Sequence, residues 1–326
     1  MKLGPFACRL IRLGLLFPLG LFAQTNDLAQ LKTQAEKGNV QAQVQLGRAL
    51  LIGSEVERDP AAAVTWFRKA ADQGEATAQA NLGLLYLVGQ GVESSDPEAL
   101  GWFRRAAEKG NAQANYYLGV MALRGRGMEK DFAAALGYFR KAADLGDLTA
   151  QEELAWMYEN GQEVATDLAE ALKWYRLAAS QGEAVAQFKL GTMYSNGRGT
   201  ATNLTEAANW YRQAADQGHA MAQNELGGMY RAGLGVAKDL PQALSLFLNS
   251  ARKGYSLAQQ NLGILYASGD GDVPKDLIEA YKWFDVAAAQ GNATAARLRE
   301  QLRGNLTADQ IKEAERRTLD FESRQP

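Results

Sequence analysis

The chain has few of the residues on which most enzyme mechanisms depend. Its 326 residues include one histidine, His219, and one cysteine, Cys8. Nucleophilic and acid–base catalysis often pairs His with Ser or Cys, so few such pairs are available here. One cysteine cannot form an internal disulfide, and the core alone must therefore stabilise the fold. We expect a protein that is not an enzyme and that binds no cofactor and no metal.

Proline is scarce, and neither charge is in clear excess. The sequence has 7 prolines and is 47% hydrophobic and 22% charged, which is typical of an ordered, soluble protein. Its 35 basic and 37 acidic residues give a formal net charge of −2. Proteins that bind nucleic acid usually present a basic face, and this balance offers none. We therefore expect a protein or peptide partner and no nucleic acid.

The first 23 residues have the pattern of a signal peptide. Lys2, Arg9 and Arg12 precede the apolar run LGLLFPLGLFA, which ends at Ala23. The run is short for a membrane span, and its proline and glycine weaken it further. We predict cleavage after Ala23, a periplasmic or secreted location, and no membrane insertion after cleavage. An uncleaved signal anchor is the alternative.

The rest of the chain repeats itself every 36 residues, which is the signature of a repeat protein. A leucine recurs at this spacing, and a glycine or alanine follows it each time. These leucines are Leu46, Leu82, Leu118, Leu154, Leu190, Leu226 and Leu262. A second set of equivalent positions is mostly tryptophan, followed each time by another aromatic residue. This set is Trp66, Trp102, Tyr138, Trp174, Trp210, Leu246 and Trp283.

Each repeat reads as two helices. Ala78, Leu82 and Tyr86 lie on one stripe of a first helix at helical spacing. The Asp-Pro pair at residues 96–97 predicts the start of a second helix, with the aspartate in a capping position. Gly110 predicts its end. A hairpin of this kind cannot bury its apolar face alone and must stack on the next one.

Glycine pairs between the two helices resemble a phosphate-binding loop only superficially. Gly89 and Gly91 recur as equivalent pairs in four other repeats, always after a helix, whereas a phosphate loop occurs once per site and follows a strand. We predict that these glycines form turns that require a positive φ.

The repeat residues resemble a known family. The segments LGLLYLVGQGVESSDPEALGWFRRAAEKGNAQA and LGTMYSNGRGTATNLTEAANWYRQAADQGHAMA are similar to units of the Sel-1-like repeat family, which is related to tetratricopeptide repeats. The resemblance covers roughly residues 35–297 and implies an all-α, right-handed superhelical solenoid of about seven 36-residue hairpins. It also implies an adaptor role. We assign the solenoid to residues 24–303 and a C-terminal capping helix and tail to residues 304–326.

The final helix is predicted from its own cap. Thr307 and Gln310 have the capping-box spacing, and Ile311, Ala314 and Leu319 would lie on one side of the helix that follows. Such a helix would cover the exposed end of the array.

Several patterns that resemble functional sites have simpler explanations. Ser250 and Lys253 match a serine–lysine pattern, but they stand at a helix end within the repeat, so we interpret them as scaffold. His219 is expected to be a solvated loop residue. The adjacent Glu152 and Glu153 are expected to form a solvated face.

Three aspartates could suggest a calcium loop, but their spacing lacks a full ligand set. They are Asp270, Asp272 and Asp276.

Partner binding is expected on the side of the first helices that faces away from the leucine stripe. In tetratricopeptide-like solenoids this side lines the concave groove, and the resemblance transfers that role here. The sequence varies at these positions while the scaffold positions repeat. The candidate binding residues are Tyr116, Arg124, Glu152, Trp156, Glu159, Phe188 and Arg231. Packing against neighbouring first helices is the alternative for each of them.

The sequence thus predicts an exported scaffold or adaptor that binds a protein or peptide in a groove. Two alternatives remain open. One is a periplasmic regulator that restrains a membrane sensor, and the other is a cell-wall-associated enzyme or accessory factor.

The signal assignment leads to a direct test. The native protein should begin near Gln24, because cleavage after Ala23 would remove the basic residues and the apolar run together. N-terminal sequencing of protein from its own cells measures this. A cytosolic chain that still begins at Met1 would contradict the prediction.

Overall fold

The computed structural model describes residues 25–53, 56–269 and 271–323, and every regular element in those ranges is an α-helix. The predicted signal peptide and Cys8 lie outside these residues. The helices are α1 (Thr25–Glu36), α2 (Val40–Ile52), α3 (Pro60–Asp72), α4 (Ala76–Val88), α5 (Asp96–Glu108), α6 (Ala112–Arg124), α7 (Phe132–Asp144), α8 (Leu148–Asn160), α9 (Leu168–Ser180), α10 (Ala184–Asn196), α11 (Leu204–Asp216), α12 (Ala220–Ala232), α13 (Leu240–Arg252), α14 (Ser256–Ser268), α15 (Leu277–Ala289), α16 (Ala293–Arg303) and α17 (Ala308–Glu322).

The predicted hairpin repeats are confirmed. Repeats 1 to 7 each consist of a first helix (α2, α4, α6, α8, α10, α12, α14) and the second helix that follows it (α3, α5, α7, α9, α11, α13, α15). The described residues divide into two compact units, one ending at Asp167 and the other beginning at Leu168, so that α8 belongs to the first unit and α9 to the second. Within each unit, first helices pack against their own second helices, and each second helix packs on the next first helix. This side-by-side stacking is the arrangement of an α-solenoid.

Caps set the limits of these helices. The first helices mostly begin after a residue whose side chain accepts a hydrogen bond from the backbone three residues on, as Asn111 does from Ala114. They end at a left-handed glycine such as Gly89, whose φ is +70°. The predicted cap of α5 was misplaced by one residue: Ser95 is the cap, and Asp96 is the first helical residue.

A glycine allows the two helices of a repeat to approach closely. The residue after the leucine that recurs every 36 residues, such as Gly83 after Leu82, faces an aromatic ring of the second helix. A Cβ atom at Gly83 would lie 2.9 Å from the ring of Phe103. Phe103 is completely buried, as is the equivalent Phe139 in repeat 3. The glycine and the aromatic residue therefore act as one packing unit.

A glutamine joins each second helix to the next first helix. Gln79, three residues before the recurring leucine Leu82, is buried, and its Nε2 donates to the Ala71 carbonyl at 3.1 Å. Five other first helices make the same bond at 3.1–3.2 Å, through Gln43, Gln151, Gln187, Gln223 and Gln259. Asn115 is the exception, because its Nδ2 donates to the Asn111 carbonyl of its own helix at 2.9 Å.

The predicted capping box of the last helix is confirmed, and one predicted contact is wrong. Both reciprocal hydrogen bonds between Thr307 and Gln310 are present. Ala314 is buried, but Leu319 is 67% exposed, and Thr318 takes the buried position beside it. The helix also packs through Phe321, whose ring lies 5.0 Å from that of Trp283. The buried face is thus rotated by one residue from the predicted one near the helix end.

The turn glycines differ in what a side chain would meet. Gly91 has a φ of +72°, and a Cβ atom there would collide with the Pro60 carbonyl oxygen of the preceding repeat. Gly89 has a similar φ, but its nearest neighbour would be the Ser94 Cβ at 3.2 Å. The predicted positive φ is therefore confirmed at both positions.

This difference predicts unequal costs of substitution. Gly89→Ala should lower the free energy of unfolding by about 1 kcal/mol, through backbone strain alone. Gly91→Ala should lower it by at least about 2 kcal/mol, because the collision adds to the strain. Denaturant unfolding of both variants measures this. Equal losses of unfolding free energy in the two variants would contradict the predicted collision at Gly91. A rise in the melting temperature of the unmodified protein on addition of a nucleotide would contradict the interpretation of these glycines as simple turns.

Candidate functional site

The first-helix surface of α6 and α8 carries most of the predicted binding residues. Two of them are carboxylates that the fold buries: Glu152 is 3% exposed and Glu159 is 9% exposed. Glu153 is only 2% exposed, so the expectation of a solvated face at Glu152 and Glu153 is wrong. Each of these three carboxylates interacts with another group of the protein, as buried carboxylates generally must.

Tyr116, the predicted aromatic neighbour of these acids, is also buried. Its ring packs 5.7 Å from Phe139 and 5.4 Å from Tyr117. Burial raises the pKa of the Tyr116 hydroxyl far above its usual range, and the Glu153 charge raises it further. Tyr116 is therefore a neutral part of the core, with little surface to offer a partner.

Trp156 and Arg124 are the predicted residues of this unit that reach the surface. Trp156 is partly exposed on α8, and Arg124 is exposed in the last turn of α6. The other residues equivalent to Trp156 are small, aliphatic or polar, such as Leu84 and Thr192, so the fold does not require a tryptophan there. A partly exposed indole beside buried acids is a chemically distinct patch on this helix.

The two predicted residues of the second unit lie on separate helices and are both partly exposed. Phe188 on α10 stacks on His219, with ring centroids 4.8 Å apart, and lies 5.8 Å from Tyr211. Arg231 is in the last turn of α12.

His219 is not the solvated loop residue that the sequence suggested. It is partly buried at the start of α12, where its Nδ1 accepts a hydrogen bond from the Ala222 backbone at 3.2 Å. Equivalent positions hold capping residues such as Asn39 and Asn111, and this shared chemistry is the signal from which a cap could have been predicted. Burial, followed by the charge of Lys253, lowers the pKa of His219.

The serine–lysine pattern is part of the scaffold. Ser250 is fully buried, and its hydroxyl donates to the Ala220 carbonyl at 2.7 Å. The ammonium group of Lys253 donates to the Gly218 carbonyl. Both groups thus tie α13 to the start of α12, and the serine is not hydrogen-bonded to the lysine as a nucleophile and its base would be.

Of the three aspartates with a spacing that suggests a calcium loop, Asp270 lies outside the described residues. Asp276 caps α15 by accepting hydrogen bonds from the Ile278 and Glu279 backbones. In the described ranges no group of three or more potential metal-binding side chains comes together. No helix in those same ranges is long and apolar enough to span a bilayer.

Paired helices in seven repeats with glycine-closed turns define an α-helical repeat protein of the solenoid class. A family model described as Sel1 repeat matches seven consecutive segments, 40–75, 76–111, 112–147, 148–183, 184–219, 220–255 and 256–292. The chain belongs to the Sel1 repeat family. The resemblance seen in the sequence is therefore confirmed.

Two crystal structures illustrate the relationship. A protective antigen of uropathogenic Escherichia coli strains, which displays an SLR fold, is 33% identical with a TM-score of 0.79; the match covers 94% of this chain and 65% of that one. A Sel1 repeat protein from Oxalobacter formigenes is 35% identical with a TM-score of 0.58, over 85% of this chain and 80% of that one. This chain thus spans slightly under two thirds of the length of the E. coli antigen. No curated protein sequence matches the chain.

The family assignment gives a coarse functional class. Sel1 repeat solenoids are typically non-catalytic scaffolds for protein–protein interaction, and the fold described above is of that kind.

The cap at His219 predicts a pH dependence of stability. Because its pKa in the folded protein is lowered, neutral His219 stabilises the fold fully above its unfolded pKa of about 6.5. That contribution is lost as the pH falls below this value, since protonation removes the acceptor. His219→Asn keeps a capping acceptor that does not titrate. The melting temperature of the natural protein should therefore fall relative to that of the variant between about pH 7 and pH 5.5. The melting temperatures of both proteins are measured across this pH range. If they change with pH by the same amount, the proposed role of His219 is wrong.

Proposed function

We propose that this protein is an exported scaffold that binds an extended segment of a partner protein on the first-helix surface around Trp156. The observation that carries the proposal is the partly exposed Trp156 at a position where the other repeats need no aromatic side chain. Tryptophan is enriched among the residues that dominate binding energy at interfaces. The proposed periplasmic or secreted location rests on the N-terminal sequence pattern.

The charges around Trp156 favour one kind of partner segment. Glu152 and Glu159 lie one helical turn before and about one turn after it on α8, and both are mostly buried. The helix α8 carries three glutamates and no basic residue, so its formal charge favours a cationic neighbour. We therefore expect an apolar side chain to pack on the indole, with a Lys or Arg next to it directed towards the acids.

Arg124 would contact the other end of such a partner segment. It is exposed at the C-terminal end of α6 and bears the charge opposite to that of the α8 acids. A partner with an acidic or polar group on that side is therefore favoured over a uniformly basic one. In the second unit, Phe188 and Arg231 stay predicted partner-binding residues in their own right.

Removal of Trp156 tests the proposal. Trp156→Ala should weaken partner binding by on the order of 2 kcal/mol, or about 30-fold in Kd. It should cost much less stability than Trp174→Ala, because Trp174 is 2% exposed and its indole donates to Glu170 at 3.1 Å. Loss of that buried tryptophan should cost about 3–5 kcal/mol.

The binding measurement uses peptides selected from a random library on the full-length protein. The selected sequences should carry an apolar residue beside Lys or Arg and should bind Trp156→Ala poorly in calorimetric titrations. Ile264→Ala, which removes another partly exposed apolar side chain at the equivalent position of repeat 7, is the matched control and should bind normally. If Trp156→Ala melts as early as Trp174→Ala, or binds the selected peptides like the unmodified protein, the proposed site is wrong.

A further inference from the structure

Repeat 3 contains an open cavity of about 570 Å³ between the second helices α5 and α7, above α6. Its lining includes the charged side chains of Arg104, Glu108, Lys141 and Asp144, together with other residues from α5, α6 and the region around α7. Those other residues are Ala107, Asn115, Leu118, Tyr138 and Leu145. Cavities of 300–1,000 Å³ are the usual size for ligand sites.

The cavity lies where a link between the repeats is missing. In six other repeats a glutamine donates its carboxamide to an alanine carbonyl at the end of the preceding helix. In repeat 3 that glutamine is replaced by Asn115, which is one methylene shorter and bonds within its own helix. The Ala107 carbonyl therefore accepts from backbone donors of its own helix end, including the Gly110 N–H, but from no side chain. Unlike the six equivalent carbonyls, this cavity-lining carbonyl receives no side-chain donor from the chain itself.

The opposite wall has changed as well. Across the same groove other repeats carry a long polar side chain that bonds back over it, as Gln73 does to Gln43 at 2.9 Å. Gln217 makes the same bond to Gln187 at 2.7 Å. Repeat 3 has Leu145 at this position, and its side chain is 51% exposed. The groove therefore stays open in repeat 3.

A cation in the lining lacks the partner that its equivalents have. Four second-helix arginines donate to a tyrosine hydroxyl 18 residues later along the chain, and these pairs are Arg68–Tyr86, Arg140–Tyr158, Arg176–Tyr194 and Arg212–Tyr230. The residue 18 positions after Arg104 is Ala122. Arg104 forms no hydrogen bond or ion pair with the residues that the structure describes. Arg104 lies three residues before Ala107 on α5, and both residues line the cavity.

We propose that this cavity binds the side chain of a glutamine carried by a partner polypeptide. The carboxamide nitrogen would donate to the Ala107 carbonyl, as the chain's own glutamines do at the six equivalent carbonyls. The carboxamide oxygen would accept from Arg104. A primary amide supplies this donor and acceptor in one group.

The other lining residues support a neutral ligand group attached to a chain. Arg104 and Lys141 are balanced by Glu108 and Asp144, so the lining favours neither an acidic nor a basic side chain. The volume is several times that of one glutamine side chain, which leaves room for the residues on either side of it. The exposed side chain of Leu145 offers an apolar contact for the methylene groups.

The test uses short capped peptides and the full-length protein. Acetyl-Ala-Gln-Ala-N-methylamide carries a primary amide only on its glutamine, and the Met and Glu versions of the peptide are the controls. Ligand-observed NMR titrations should show saturable binding of the Gln peptide, and binding of the Met and Glu peptides should be at least about tenfold weaker.

The decisive variant is Asn115→Gln, which restores the residue that the other repeats carry and should fold at least as well as the natural chain. Its own carboxamide should reach Ala107 and lower the affinity for the Gln peptide by about tenfold or more. Arg104→Met should also weaken binding, and Trp156→Ala should leave it unchanged, which separates this site from the proposed first-helix site. Absence of Gln-peptide binding, equal binding of the Met peptide, or full binding by Asn115→Gln would each overturn the proposal.

Discussion

The structure depends on one constraint: no repeat can bury its own apolar face. The alanines that line the first helices, such as Ala78 and Ala114, are completely buried only because helices of the same and the preceding repeat cover them. The glutamine-to-carbonyl hydrogen bond then fixes the register between successive hairpins. A substitution at one of these linking positions is therefore expected to change the seam between two repeats and to leave the repeats themselves intact.

This constraint separates two kinds of variation along the chain. Variation on the first helices produces a surface patch in which the indole of Trp156 lies beside the buried carboxylates of Glu152 and Glu159. Variation at the linking positions of repeat 3, at Asn115 and Leu145, produces a cavity between second helices. A scaffold that offers two surfaces of different chemistry can hold two segments of a partner, or two partners, at a distance set by the rigid helices between them.

The regular features of the fold could be predicted because they are local. A 36-residue period, an apolar stripe at helical spacing, a left-handed glycine after α4 and the capping box at Thr307 all depend on residues within a few positions of one another. Exposure was harder to predict, because it depends on which neighbour packs against the far side of a helix. Tyr116 points away from the leucine stripe and is nevertheless buried, since Phe139 and Tyr117 cover its ring.

The sequence by itself determined the family, the number of repeats, the helix pairs, the glycine turns and the scaffold class, since each follows from spacing along the chain. Tertiary structure alone decided that Glu152 and Glu153 are buried, that His219 is a half-buried cap, and that Thr318 replaces Leu319 in the last contact. It also decided that a shortened side chain at Asn115 leaves a cavity. These outcomes depend on distances between residues of neighbouring helices. A periodic sequence determines which side of each helix is apolar, but it does not determine which residues of other helices contact that side.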